Sequence, residues 1–164
     1  MYRWILFLAA ALAISLAACA EPAPAGAAST DVEAAADWPL MTVYKTPSCG
    51  CCVVWIEHVE AAGIPVEVVD IGDMGPVKQQ LGVPYGKGSC HTASIGGYFI
   101  EGHVPIEDIR RLLEERPAAR GLTLPGMPLG SPGMEMPDGR SEAFTVELVA
   151  EDGSTTSWAH HPAR

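Results

Sequence analysis

Three cysteines in four residues, Cys49-Gly50-Cys51-Cys52, sit where a strand gives way to a helix. Upstream, Met41-Thr42-Val43-Tyr44 reads as a strand, with Val43 and Tyr44 as its β-formers. Pro47 and Ser48 open a helix whose apolar face recurs at Trp55, Ile56 and Val59. Gly63 ends it and Pro65 prevents its return. The junction therefore places thiols at a helix N-terminus, where unpaired N–H groups and the macrodipole favour thiolate. Cys49 and Cys52 are three apart and can meet, as a redox dithiol requires. Cys51 is the anomaly. A dithiol oxidoreductase needs one pair, and an adjacent third thiol competes with it. A soft-metal site gains a third thiolate. The plainer alternative is a Cys49–Cys52 disulfide beside an inert, buried Cys51.

The rest of the chain builds one α/β unit. Val66–Ile71 is a β-branched run and reads as a buried strand. Asp73 and Pro76 start a short helix that ends at Leu81-Gly82. Ala93–Ile95 and Tyr98–Ile100 flank Gly96-Gly97, a two-residue hairpin turn. Pro105 starts a helix with Ile106, Ile109 and Leu113 inside and Pro117 beyond its end. The order β-α-β-α-β-β-α predicts a thioredoxin-like βαβ-αββα core. Residues 121–140 follow, rich in Pro, Gly and Met, as a long loop of the kind that is either functional or disordered. Phe144, Val146 and Leu148 then alternate with polar residues. Asp152-Gly153 turns the chain, so 141–160 reads as a C-terminal β-hairpin that ties down the far end of the loop.

The N-terminus reads as an export signal. Arg3 precedes an apolar run from Trp4 to Leu16, too short for a comfortable membrane span. Leu16-Ala17-Ala18-Cys19 resembles a bacterial lipobox, so residues 1–18 are expected to be a lipoprotein signal peptide and Cys19 the lipid anchor. The alternative is an ordinary signal peptide with an incidental cysteine. Residues 19–39, mostly Ala with Pro, Glu, Ser and Thr, make a flexible tether to a domain spanning 40–160. Cleavage leaves nine basic against twenty acidic side chains. That balance disfavours nucleic acid and anionic lipid as partners, leaving the anchor as the expected membrane contact. The expected location is the periplasm.

With Cys19 lipidated, Cys49, Cys51, Cys52 and Cys90 remain for the fold. Four cysteines in an oxidising compartment usually suggest two disulfides. Clustering three of them suggests chemistry instead. Cys90 and His91 lie in the segment that leads into the predicted hairpin, where thiol oxidoreductases of this fold usually carry a cis-proline. No proline occurs between Pro84 and Pro105. That departure weakens a disulfide-exchange reading and supplies a fourth sulfur. The alternative is that Cys90 is a small buried hydrophobe or pairs with Cys51. Met127, Met134 and Met136 lie in the long loop. Thioethers suit copper(I) and do little for zinc, although methionines also serve as gap-fillers. His91 is a candidate ligand or supporting group, and His103 is a candidate ligand or surface residue. His58, His160 and His161 receive no role. No nucleophile–base constellation is visible, and no catalytic residue is assigned.

Four segments in order carry a resemblance. They are Tyr44–Cys52, Ser89–Ala93, Glu101–Pro105, and Gly126–Pro128 with Gly130–Glu135. Together they resemble the CopG-like copper-resistance family, over about Met41 to Trp158. The resemblance implies a periplasmic, thioredoxin-like metal-binding protein that handles copper ions beside other periplasmic copper proteins. It carries Cys49, Cys51, Cys52, Cys90, Met127 and Met134 over as copper(I) ligands, with His91, His103 and Met136 as weaker candidates. Thiolates bridge copper(I), so four clustered sulfurs have room for more than one ion. The rival expectation is a thiol–disulfide oxidoreductase using Cys49 and Cys52.

Overall fold

The computed structural model describes residues 38–164. The expected leader, Cys19 and the tether up to residue 37 lie outside the described residues. The elements are β1 (Met41–Lys45), α1 (Gly50–Ala61), β2 (Val66–Asp70), α2 (Gly75–Leu81), β3 (Thr92–Ile95), β4 (Tyr98–Glu101), α3 (Ile106–Glu115), β5 (Ala119–Thr123), β6 (Phe144–Ala150) and β7 (Thr155–His161). They form a mixed α/β fold with one seven-stranded sheet, ordered β2-β1-β3-β4-β5-β6-β7. β1 pairs parallel with β2, and β4 with β5, while the other neighbours are antiparallel. Among the described residues no helix is long and apolar enough to cross a membrane.

The core forms where the apolar stripes predicted from periodicity meet the sheet. α1 buries Cys52, Trp55, Ile56 and Val59, and α3 buries Ile109, Leu112 and Leu113. They pack with Val43, Ile95, Ile100 and Leu122 from the strands. Trp55 is fully buried, and its indole N–H donates to the Val104 carbonyl at 3.0 Å. That bond satisfies the one polar atom of the largest core side chain and ties α1 to the segment before α3. Cys51 and Cys52 lie within about one turn N-terminal to Trp55 on the same helix, so the core fixes their position.

Two boundaries differ from the expectation. Residues 121–140 are not all loop, because Ala119–Thr123 is strand β5, lying between β4 and β6. The terminal hairpin therefore extends the main sheet. Gly121 makes the close pairing sterically possible: a Cβ there would lie 2.0 Å from the Phe99 carbonyl oxygen. Trp38, assigned to the tether, packs against the core, with the Arg110 guanidinium 5.8 Å from its ring centroid.

Candidate metal centre

The turn before α1 sets the first three sulfurs. The Cys49 N–H donates to the Thr46 carbonyl at 3.1 Å, and Cys49 caps α1 in an extended conformation without a side-chain capping bond. No acidic residue occupies the first turn of α1. The helix end is thus left electropositive toward the cysteines. Cys49 and Cys52 are joined in a disulfide, and Cys51 and Cys90 are free. Cys51 Sγ lies 3.7 Å from Cys49 Sγ, and Cys90 Sγ lies 3.5 Å from Cys52 Sγ. All four sulfurs are within 4.8 Å of one another. The four cysteine sulfurs are therefore brought together in space as one disulfide and two free cysteines, and they become four thiols once the disulfide takes up two electrons and two protons.

A buried carboxylate holds Cys90 there. Glu101 is fully buried at the end of β4. One of its oxygens accepts from the Ser89 N–H and from the Lys78 ammonium, and the other accepts from the Thr92 hydroxyl at 2.7 Å. The residues on both sides of Cys90-His91 are thus fixed to one side chain. Burial and the neighbouring Cys51 push the Cys90 thiol up to about 11. In the metal-free protein it stays protonated, and a metal ion binds by displacing that proton.

Both central histidines meet Cys90. His103 Nδ1–H donates to the Pro132 carbonyl at 2.8 Å, since a carbonyl can only accept. The lone pair on Nε2 therefore faces Cys90 Sγ, 3.0 Å away. His91 Nδ1 lies 3.4 Å from the same sulfur, and its ring packs against Trp55 with centroids 4.3 Å apart. Burial, then His103 and Lys78, lower the His91 pKa to about 3, and burial lowers His103 in the same direction. Unfolded His91 takes up its proton near 6.5, so its neutral, buried state contributes full stability above that value and loses it as pH falls toward about 3. The urea midpoint of the metal-free protein is expected to fall from about pH 7 to about pH 5, with a shallower fall in His91→Gln.

The long loop is ordered against this cluster. Ser89 Oγ, next to Cys90, donates to the Gly126 carbonyl. Gly133 packs on the first turns of α1 with φ +83°, and a Cβ there would lie 2.8 Å from the Cys51 carbonyl oxygen and 2.9 Å from the Trp55 nitrogen. Glu135 bonds His58 of α1 at 2.7 Å. Met127 and Met134 each follow a residue fastened beside the cysteines. Met127 is about half exposed (48 %), whereas Met134 and Met136 are partly buried. Gly133→Ala is expected to cost about 1–3 kcal/mol, from left-handed strain and the backbone clash, and to speed alkylation of Cys51.

Comparison with known proteins gives the family of the chain. A family model described as a protein of unknown function, DUF411, matches residues 87–134. No curated protein matches. Two solved structures, both of copper resistance protein CopG (forms 1 and 2), are 46 % identical with TM-scores of 0.72. They cover 77 % and 76 % of this chain, and the chain covers 99 % and 98 % of them. The chain belongs to the CopG-like copper-resistance family.

Within this CopG-like chain, sequence reasoning missed the residues that support the cluster. Glu101, Lys78 and Thr92 are ordinary charged and polar residues in sequence, and only the sheet brings them beside Cys90. His58 was passed over because its partner, Glu135, lies in the loop.

Proposed function

We propose that this protein binds copper(I) in the periplasm as part of copper resistance, on a thioredoxin-like domain tethered to a membrane through lipidated Cys19. The observation that carries the reading is the convergence of four cysteine sulfurs within 4.8 Å. Soft thiolates select copper(I), and spacings of 3.5 and 3.7 Å suit sulfurs that share or bridge such ions. Cys49, Cys51, Cys52 and Cys90 supply the thiolates. Met127 and Met134 add thioethers or an apolar cover, with Met136 in reserve. The site takes up more than one ion, which are cargo received from and passed to other periplasmic copper-handling proteins.

The Cys49–Cys52 disulfide is the one observation on the side of a thiol–disulfide oxidoreductase. The segment before β3 opposes it, since Cys90 and His91 stand where a substrate-shaping proline is needed. The match to CopG gives the oxidoreductase reading no support.

Copper content after anaerobic purification from copper-supplemented cells tests the proposal. At least about one copper per chain is expected, because bridging thiolates hold the ion through purification. Zinc instead, or no metal, rejects it. Labelling with a radioactive fatty acid tests the anchor separately. The label enters the wild type and is absent from Cys19→Ala, whereas equal labelling of both rejects lipidation at Cys19.

A further inference from the structure

Strand β1 buries every second residue: Met41, Val43 and Lys45. The first two belong to the apolar core. The third is a lysine, 5 % exposed, at the strand end that leads into the cysteine turn. Lysine is rarely buried unless it is paired. Lys45 Nζ donates to Asp70 Oδ1 at 2.7 Å, across the register pair that joins β1 to β2. It also donates to the Thr46 carbonyl at 3.3 Å. That same carbonyl accepts from the Cys49 N–H at 3.1 Å. We propose that Lys45 is a positioning residue for the sulfur cluster, whose ammonium, seated against the turn that carries Cys49, offsets the negative charge the cysteines gather on reduction and copper(I) uptake. The inference rests on the copper(I) reading above and gives that site a fixed countercharge outside its ligands.

Three observations carry it. The burial has no packing reason, since an aliphatic side chain would continue the Met41–Val43 stripe without desolvating a charge. The ion pair is also lopsided. The Lys45 side chain is 7 % exposed and the Asp70 side chain 51 %. Water screens the carboxylate, while the ammonium keeps its field in the interior beside the Thr46 carbonyl. Finally, no acidic residue occupies the first turn of α1, so no carboxylate there cancels it. The helix N-terminus and Lys45 present the same sign to the cysteines.

The chemistry needs such a charge. Reduction turns the Cys49–Cys52 disulfide into two thiols, and copper(I) takes the place of thiol protons. Each bound ion cancels one thiolate charge, so a cluster with fewer ions than thiolates is anionic. A nearby cation stabilises that charged form.

Substitutions on both sides of the pair separate charge from scaffold. The full mature chain is used, with Cys19 changed to Ala. Lys45→Met keeps the apolar stem and removes the charge, and half-exposed Asp70 stays hydrated. Lys45→Arg keeps the charge. Asp70→Asn keeps an acceptor for the ammonium and removes its countercharge. Competition against a chromophoric copper(I) chelator is expected to show about 10-fold weaker binding in Lys45→Met. Lys45→Arg binds close to wild type, and Asp70→Asn binds at least as tightly. Equal losses in Lys45→Met and Asp70→Asn would make the pair a scaffold contact and overturn the proposal, as would unchanged binding in Lys45→Met. The metal-free chain gives a second readout. Its disulfide is equilibrated with glutathione at about pH 8.5, where thiolate forms, and read by alkylation of Cys49. Two glutathione thiols are oxidised to one glutathione disulfide for each protein disulfide reduced. Lys45→Met is expected to lower the equilibrium constant for reduction roughly 10-fold. Identical equilibria in wild type and Lys45→Met also overturn the proposal. This arm needs no copper, so a wild type that binds none would sink the copper(I) reading and still leave Lys45 tested.

Discussion

Replacing Cys90 with Ser is expected to lower the copper(I) affinity of the reduced protein by more than about 100-fold. Loss of a partner outside the coordination sphere of a metal typically costs about 10–100-fold, and the proposed site has Cys90 inside it. Its sulfur lies 3.5 Å from Cys52 Sγ and within 4.8 Å of the other two. The hydroxyl of Ser is a hard donor and does not replace a thiolate toward copper(I). Cys90 comes from the β3 side of the cluster, whereas the other three cysteines share the start of α1. Its loss leaves an open side that no α1 residue can close. Met127→Leu is expected to cost far less, because a half-exposed thioether is a weaker and more replaceable donor. Competition against a chromophoric copper(I) chelator measures both. An unchanged affinity in Cys90→Ser would remove Cys90 from the site.

Glu101→Ala is the most damaging single change expected for folding, at about 3–5 kcal/mol. The carboxylate is fully buried and accepts from the Lys78 ammonium, the Ser89 N–H and the Thr92 hydroxyl. Removing it leaves a cation and two polar donors without their shared acceptor in a poorly solvated place. Glu101→Gln keeps one carbonyl acceptor but not the charge, so it is expected to fall between the two. Equilibrium urea unfolding measures the loss. Because Ser89 and Thr92 flank Cys90-His91, Glu101→Gln is also expected to weaken copper(I) binding modestly in the folded state. Equal stability of wild type and Glu101→Ala would mean that the cluster-bearing segment is held by something else.

The readable parts of the fold were those governed by local periodicity. Trp55, Ile56 and Val59 recur at helical spacing, and Gly96-Gly97 marks its own turn, so α1 and the β3–β4 hairpin could be drawn from residues alone. β5 could not. Ala119-Arg120-Gly121-Leu122-Thr123 has no alternating pattern and contains a glycine, which normally weakens a strand. Its strand character comes from the neighbours on both sides, and its glycine is there to permit the approach to Phe99. The site divides the same way. The Cys49–Cys52 run and Cys90 were visible through spacing and the order of elements. His103 was ambiguous because its value depends on Pro132 and Cys90, 29 and 13 residues away in sequence. Glu101 was invisible as a support because its partners Lys78 and Ser89 lie 23 and 12 residues distant. The Pro/Gly loop advertised irregular backbone, and the Ser89, His103 and His58 contacts that order it are all long-range.

The central claim is that four cysteines act as one copper(I) site. The most direct measurement is an anaerobic copper(I) titration of the fully reduced protein, read by alkylation of each cysteine and mass spectrometry. The account predicts that Cys49, Cys51, Cys52 and Cys90 become protected together, in step with the copper taken up. Protection confined to one pair, or four cysteines that alkylate as fast with copper(I) as without it, would contradict it.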